Sequence, residues 1–158
     1  MYMKIINGDS LEVLKRATAN SIDAVVTDLQ IGDAGEHLVC ADLILKGYDT
    51  FQSAQGLPFD VVVMVNNKPI RVQVKTTRKE RLVPQRSKRT PAYLFHTRRC
   101  GKGGRRAYNE TDFDVLALVA LDIQKVGYLL LEDTKQTIHL NRENLQELTF
   151  EKICQKLR

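Results

Sequence analysis

No apolar run in this sequence approaches the roughly 18 residues that a membrane-spanning helix needs. The longest, residues 115–121, has seven, so a chain free of the membrane is expected. The opening MYMKIINGDS lacks the basic and then apolar order of a secretory leader, which points to the compartment of synthesis. Cysteine is scarce. Cys40, Cys100 and Cys154 are odd in number, widely spaced and without a C-x-x-C pair, against a disulfide framework or a zinc knuckle and in keeping with a reducing cytoplasm. His37, His96 and His139 have no mutual spacing that suggests a metal site or a catalytic triad. The GKGG at residues 101–104 lacks the G-x-x-x-x-G-K-[ST] frame of a nucleotide phosphate loop. There is neither an internal repeat nor a low-complexity linker.

What remains is a chain of 158 residues, 43% hydrophobic and 27% charged, enough for one globular domain with a sizeable core. Its net charge of +5 hides an asymmetry. Residues 75–106 hold 12 of the 24 Lys and Arg but only Glu80 among the 19 acids, leaving 12 basic and 18 acidic residues elsewhere. So concentrated a block is either a solvated loop or a surface for a polyanion, and the acidic remainder favours a nucleic-acid partner.

The elements read as α/β. A strand at MKII, a helix over 11–17 capped by the Asn7-Gly8-Asp9-Ser10 turn, and a strand over 22–27 form an N-terminal strand-helix-strand attachment, residues 1–30. The main domain, 31–158, opens with a helix from about 34 to 46 that stops at Gly47. A short strand over 48–53 is followed by β-rich runs at 59–65 and 70–75, with Asn-Asn-Lys-Pro between them as a hairpin turn. An apolar piece at 92–95 suggests another strand. Residues 115–121 show no polar alternation, as in a central strand buried on both faces, with 126–131 as partner. The expected sheet is mixed, and residues 142–157 read as one helix with Leu145, Leu148, Ile153 and Leu157 as apolar contacts.

Alternation along the second hairpin strand puts Ile70, Val72 and Val74 on one face and Arg71, Gln73 and Lys75 on the other. A two-residue turn at Asn66-Asn67 sets Asp60 across from Gln73; a four-residue loop forced by Pro69 would set it across from Lys75. Either register gathers a carboxylate, an amide and an ammonium, a group suited to holding a hard divalent cation and a water beside a phosphate. On the preceding helix Glu36 falls beside Cys40 and Leu43 on the apolar side, whereas Asp42 and Lys46 form the polar wedge. A carboxylate so placed needs a cation, a donor or a metal. Read singly, Glu36 is also accounted for as a helix N-terminal acid favoured by the dipole, Asp60 as a turn residue and Lys75 as a surface lysine.

In order along the chain, GEHLVCADLILKGYDTF, PFDVVVMVNN and RVQVKTT resemble the PD-(D/E)XK nuclease superfamily, particularly small endonucleases of homing or restriction type with Gln at the third motif position. Tyr108, the strand that follows Asp114, and Tyr128-Leu-Leu are similar to that group's downstream pattern. The resemblance implies a restriction-endonuclease-like core, a mixed β-sheet flanked by helices, and Mg²⁺-dependent phosphodiester hydrolysis of DNA. Glu36, Asp60, Gln73 and Lys75 become the expected catalytic set, with Glu36, Asp60, Gln73 and the Val74 carbonyl holding the metal. The amide of Gln73 is a neutral ligand and weakens that site relative to a carboxylate. Arg78, Lys79, Arg81, Arg86, Lys88, Arg89, Arg98, Arg99, Lys102, Arg105 and Arg106 start just after the catalytic strand and are expected to track the DNA backbone.

Within about the first thirty residues, MKIINGDSLEVLKRATANSIDAVVTD is similar to the start of DNA amino-methyltransferases. There the segment leads into Asp-Pro-Pro-Tyr, but here Asp28 is followed by Leu29 and Gln30, so methyltransferase activity is not expected. A nuclease frame joined to an interrupted methyltransferase frame, as for an intron-borne homing endonuclease, accounts for the pairing; a generic strand-helix-strand is the plainer alternative. Three roles stay open: site-specific homing, restriction or junction-resolving cleavage, and a catalytically inactive DNA-binding module in which Gln73 marks decay. One active site per chain and two DNA strands to cut imply a homodimer or larger assembly.

Overall fold

A computed structural model describes residues 29–54, 56–82, 90–101 and 104–157. The elements expected over 1–27 lie outside them. The first helix, α1, spans Leu29–Leu45 and so begins five residues earlier than the sequence suggests. The expected division between residues 30 and 31 falls inside it. Gly32 and Gly35 do not break the helix, because packing of α1 against the sheet outweighs the roughly 1 kcal/mol that each glycine costs. Its C-terminus is as expected. Gly47 takes φ +86°, its N–H donates to Ile44 O at 2.9 Å, and Tyr48 N–H reaches Leu43 O at 3.1 Å. This is the paired bonding of a Schellman stop, which needs a left-handed residue at that place.

Strands β1 (Thr50–Gln52), β2 (Val61–Val65) and β3 (Lys68–Thr77) form an antiparallel meander. Both Asn66 and Asn67 have positive φ, 51° and 62°, so the turn is the two-residue kind and pairs Val65 with Lys68. The four-residue alternative is overturned. Pro69 is tolerated because its pair with Met64 is one of the non-hydrogen-bonded pairs, and the neighbouring strand on its other side begins only opposite Val72.

That neighbour is β7 (Val115–Ala120), buried at every residue, parallel to β3 and antiparallel to β8 (Lys125–Leu130). The sheet order is β1-β2-β3-β7-β8. The crossover that a parallel pair requires is the basic segment itself. It carries β4 (Tyr93–His96), β5 (Arg99–Gly101) and β6 (Gly104–Arg106). β5 and β6 pair as a hairpin. β4 pairs with a strand that the sequence pattern did not reveal, β9 (Thr137–Leu140).

The expected C-terminal helix is two helices, α2 (Arg142–Glu147) and α3 (Phe150–Lys156). The break serves packing on opposite sides of the sheet. Phe150 and Ile153 join Val39, Leu43, Val72, Val74 and Tyr128 on the face that α1 covers. Leu145 instead packs with Tyr93, Phe95, Phe113, Leu116 and Leu118 beneath the β4–β9 ribbon. Leu157, expected as a core contact, is 38% exposed. No helix among the described residues is long and apolar enough to cross a membrane.

Candidate active site

The site forms where β2 gives out. Val74 presents its N–H toward the β2 side, but β2 begins only at Val61, opposite Val72. Asp60 fills the gap. Its N–H donates to Val72 O at 2.9 Å, and its Oδ2 accepts from the Val74 N–H at 2.7 Å. The Phe59 carbonyl, which would continue the ladder, accepts from Ser53 Oγ at 2.5 Å instead. The strand end thus exchanges a backbone acceptor for a carboxylate, at a fixed position beside Gln73 and Lys75.

Gln73 is buried, at 7% exposure, and its Nε2 donates to Asp60 Oδ2 and, at 3.2 Å, to the Val74 carbonyl. Lys75 is half-buried, and its ammonium draws the Asp60 proton affinity down, as do the Val74 and Gln73 donors; burial outweighs all three and leaves Asp60 raised. Glu36 is also raised, first by burial and then by the charges of Asp60 and Asp33. Glu36 in turn joins burial in raising the Cys40 thiol, one helical turn on. Helix α1 starts at Leu29, which puts Glu36 beyond the first turn where the dipole acts. The dipole explanation for this acid therefore falls, and its closeness to Asp60 remains. Asp42, expected in the polar wedge, does pair with Lys46 at 2.6 Å, but it also accepts from the buried Tyr128 hydroxyl at 2.6 Å.

Helix and strand meet closely here. A Cβ built on Gly35 would lie 1.9 Å from Thr76 Oγ1, so only glycine lets α1 bring Glu36 this near to β3. Thr76 Oγ1 is buried and has no hydrogen-bond partner among the described residues. Two clefts flank this end of β3. One, of about 480 Å³, is lined by Glu36, Val74, Lys75, Thr76 and Arg78. The other, of about 410 Å³, lies toward β4 and is lined by Lys75, Thr77, Arg78, Lys79, Arg81 and His96, with no acid among its lining residues. A larger cleft of about 760 Å³ includes Glu110, Asp114, Leu131 and Lys156 and no member of the set around Asp60; its mixed apolar and acidic wall suits no phosphate.

Two half-buried carboxylates, both raised in proton affinity by burial and Glu36 also by the charge of Asp60, with a main-chain carbonyl and an amide beside them, are short of positive charge. This all-oxygen capacity fits a hard divalent cation. Among the described residues no three His, Cys, Asp or Glu converge, consistent with an amide at position 73 and only Glu36 and Asp60 as acids.

The expected basic residues divide. Arg78, Lys79 and Arg81 are exposed beside the second cleft. Arg98 is exposed and donates to Gln136 Oε1. In the β5–β6 hairpin Arg99 is the register partner of Arg106 and Arg105 that of Cys100. Arg86, Lys88, Arg89 and Lys102 lie outside the described residues. Arg106, read from the sequence as a backbone contact, is bound in a fork to Asp112 at 2.5 and 2.6 Å. Sequence reasoning missed this pair and its companion, Arg71 with Asp114, joined at 2.7 and 3.0 Å and through the Arg71 N–H at 2.8 Å. The available signal was the acid pair at i and i+2 before an apolar strand.

A model of the PD-(D/E)XK endonuclease family matches residues 26–152 of this chain. No curated protein matches. Among solved structures, a bacterial homing endonuclease superposes with a TM-score of 0.61 over 84% of this chain and 95% of its own, at 19% identity. At that identity the likeness speaks for the fold, and the expected restriction-endonuclease-like core is borne out.

Proposed function

Since the chain belongs to the PD-(D/E)XK endonuclease family, we propose that it is a Mg²⁺-dependent DNA endonuclease that hydrolyses phosphodiester bonds at specific sites, in the manner of a homing enzyme. The observation that carries this reading is the pair Glu36 and Asp60. Burial raises the proton affinity of both, the charge of Asp60 raises Glu36 further, and Lys75 stands next to them. Glu36, Asp60, the Gln73 amide and the Val74 carbonyl would hold the ion, which supplies a polarised phosphate and a more acidic water. Lys75 orients the attacking water and offsets charge gathering on phosphorus as the 3′ oxygen leaves. Arg78, Lys79 and Arg81, along the acid-free cleft, hold the neighbouring backbone of double-stranded DNA, and the β5–β6 hairpin extends that contact. Cutting both strands takes two such sites, hence a homodimer or larger assembly.

One observation favours a second reading, a catalytically silent DNA-binding module. Gln73 turns its NH₂ toward Asp60 and so occupies the carboxylate oxygen that a cation would use. Two plasmids distinguish the readings, one carrying an uninterrupted amino-methyltransferase gene across its Asp-Pro-Pro-Tyr codons and one without it, each with Mg²⁺ and with EDTA. Discrete Mg²⁺-dependent cutting of the first alone supports the homing enzyme. Cutting of both points to restriction-like or structure-directed activity. Tight binding with no cleavage under any metal supports the silent module.

A further inference from the structure

We propose that Tyr108 is a positioning residue that holds the Lys75 ammonium in place for the cleavage step. This role rests on the nuclease reading above and adds a residue to it. The Lys75 Nζ lies over the Tyr108 ring, 5.5 Å from its centroid, within the range where the negative ring face attracts a cation. The ammonium also acts electrostatically on the Asp60 carboxylate. A lysine has a long, rotatable stem, and holding its head over a ring removes freedom it would otherwise have to lose in the reaction.

The ring is itself held. It packs edge-on against Phe113, centroids 4.8 Å apart, and Phe113 is fully buried. The segment that carries it is bolted at both ends by buried or half-buried ion pairs. Arg106 forks onto Asp112, which is 1% exposed, and the Asn109 N–H donates to the same carboxylate at 2.9 Å. Arg71, two residues before Gln73 on the same face of β3, grips Asp114 and donates to the carbonyls of Thr111 at 2.8 Å and Glu110 at 2.9 Å. Tyr108 is thus fixed relative to the very strand that carries Lys75. Such investment in the placement of one half-buried ring is unneeded if it only covers Phe113.

The test compares Tyr108→Phe, which keeps the ring face, with Tyr108→Leu, which keeps bulk and removes it. Two readouts are taken: the chemical shift of the Lys75 ε-methylene protons, which a ring overhead moves upfield whether or not the protein cleaves, and single-turnover cleavage with saturating DNA and Mg²⁺. The expected result is an upfield shift in the wild type and in Tyr108→Phe that Tyr108→Leu loses. With it comes a roughly 3- to 30-fold lower rate in Tyr108→Leu alone, the span of cation–ring attraction from exposed to desolvated settings, with DNA affinity within about twofold. Equal loss in Tyr108→Phe, a wild-type rate in Tyr108→Leu, or a loss confined to DNA affinity would overturn the role. An absent shift in a wild type that cleaves would overturn it alone. A present shift in a wild type that never cleaves would overturn the nuclease reading, and the role with it.

Discussion

Replacing Gly35 with alanine tests how tightly α1 must approach β3 for the site to exist. The added Cβ would sit 1.9 Å from Thr76 Oγ1 and 3.0 Å from both Thr76 Cβ and Cγ2. The first contact is far inside any tolerated distance, and the side chain it meets is β-branched, on a buried strand face, with little rotamer freedom. Helix α1 must therefore lift, loosening Val39 and Leu43, both fully buried. Overpacking of this kind costs about 1–3 kcal/mol, and in a domain of this size about 2 kcal/mol corresponds to roughly 4–8 °C in Tm. Thr76→Ala removes the hydroxyl. Because that oxygen is buried and unpaired, its loss is expected to be near neutral. The double variant should then recover at least about 1 kcal/mol of the Gly35→Ala loss, a coupling that thermal or urea unfolding of all four proteins reads directly. Mg²⁺-dependent cleavage should follow, since lifting α1 withdraws Glu36 from Asp60. A Gly35→Ala protein that melts within 1 °C of the wild type, or a double variant no better than the single, would refute the close-approach argument.

Other outcomes are expected. Asp112→Ala should lower stability by about 2 kcal/mol, less than a fully buried pair because the abandoned Arg106 is 45% exposed and can hydrate; unchanged urea unfolding would contradict this. In metal-free protein, Glu36 and Asp60 have raised folded proton affinities, so the native state binds protons first. Their contribution grows as pH falls through their raised folded range and shrinks as pH rises above it, and Asp60→Asn should flatten that slope in Tm-versus-pH scans. The bound form has the opposite sign, because a cation requires both groups ionised, so the Mg²⁺ needed for half-maximal cleavage should rise as pH falls. Arg98→Ala combined with Arg99→Ala should weaken DNA binding and lower the slope of log affinity against log salt by about 1–2; an unchanged slope would remove these two from the backbone contact.

Much of the core was legible because its signals are local. The Asn66-Asn67 pair supplies the positive φ that a two-residue turn needs, and alternation then fixes which side of β3 bears Gln73 and Lys75. Helix α1 revealed its stop at Gly47 but hid its start, since glycine inside a helix reads as a break until the strand packed against it is known. The β4–β9 pairing joins residues more than 40 apart and leaves no local trace. Arg71 with Asp114 is similarly distant, 43 residues apart, whereas Arg106 and Asp112 are only six apart and the basic run masks their pairing. An arginine in a basic run reads as a phosphate contact, and only the fold reveals that a buried carboxylate claims it. The single C-terminal helix failed similarly: one apolar stripe fits residues 142–157, but Leu145 and Phe150 serve opposite faces of the sheet.

The central claim is that Asp60, Glu36 and Lys75 form a metal-dependent hydrolytic site, and the most direct measurement is plasmid cleavage by wild type and Lys75→Ala across a Mg²⁺ titration, with DNA binding measured on the same samples. The account predicts cleavage by the wild type that rises with Mg²⁺ and vanishes in EDTA, and none by Lys75→Ala despite affinity within a few-fold of wild type. Full cleavage by Lys75→Ala, or cleavage indifferent to EDTA, would contradict it.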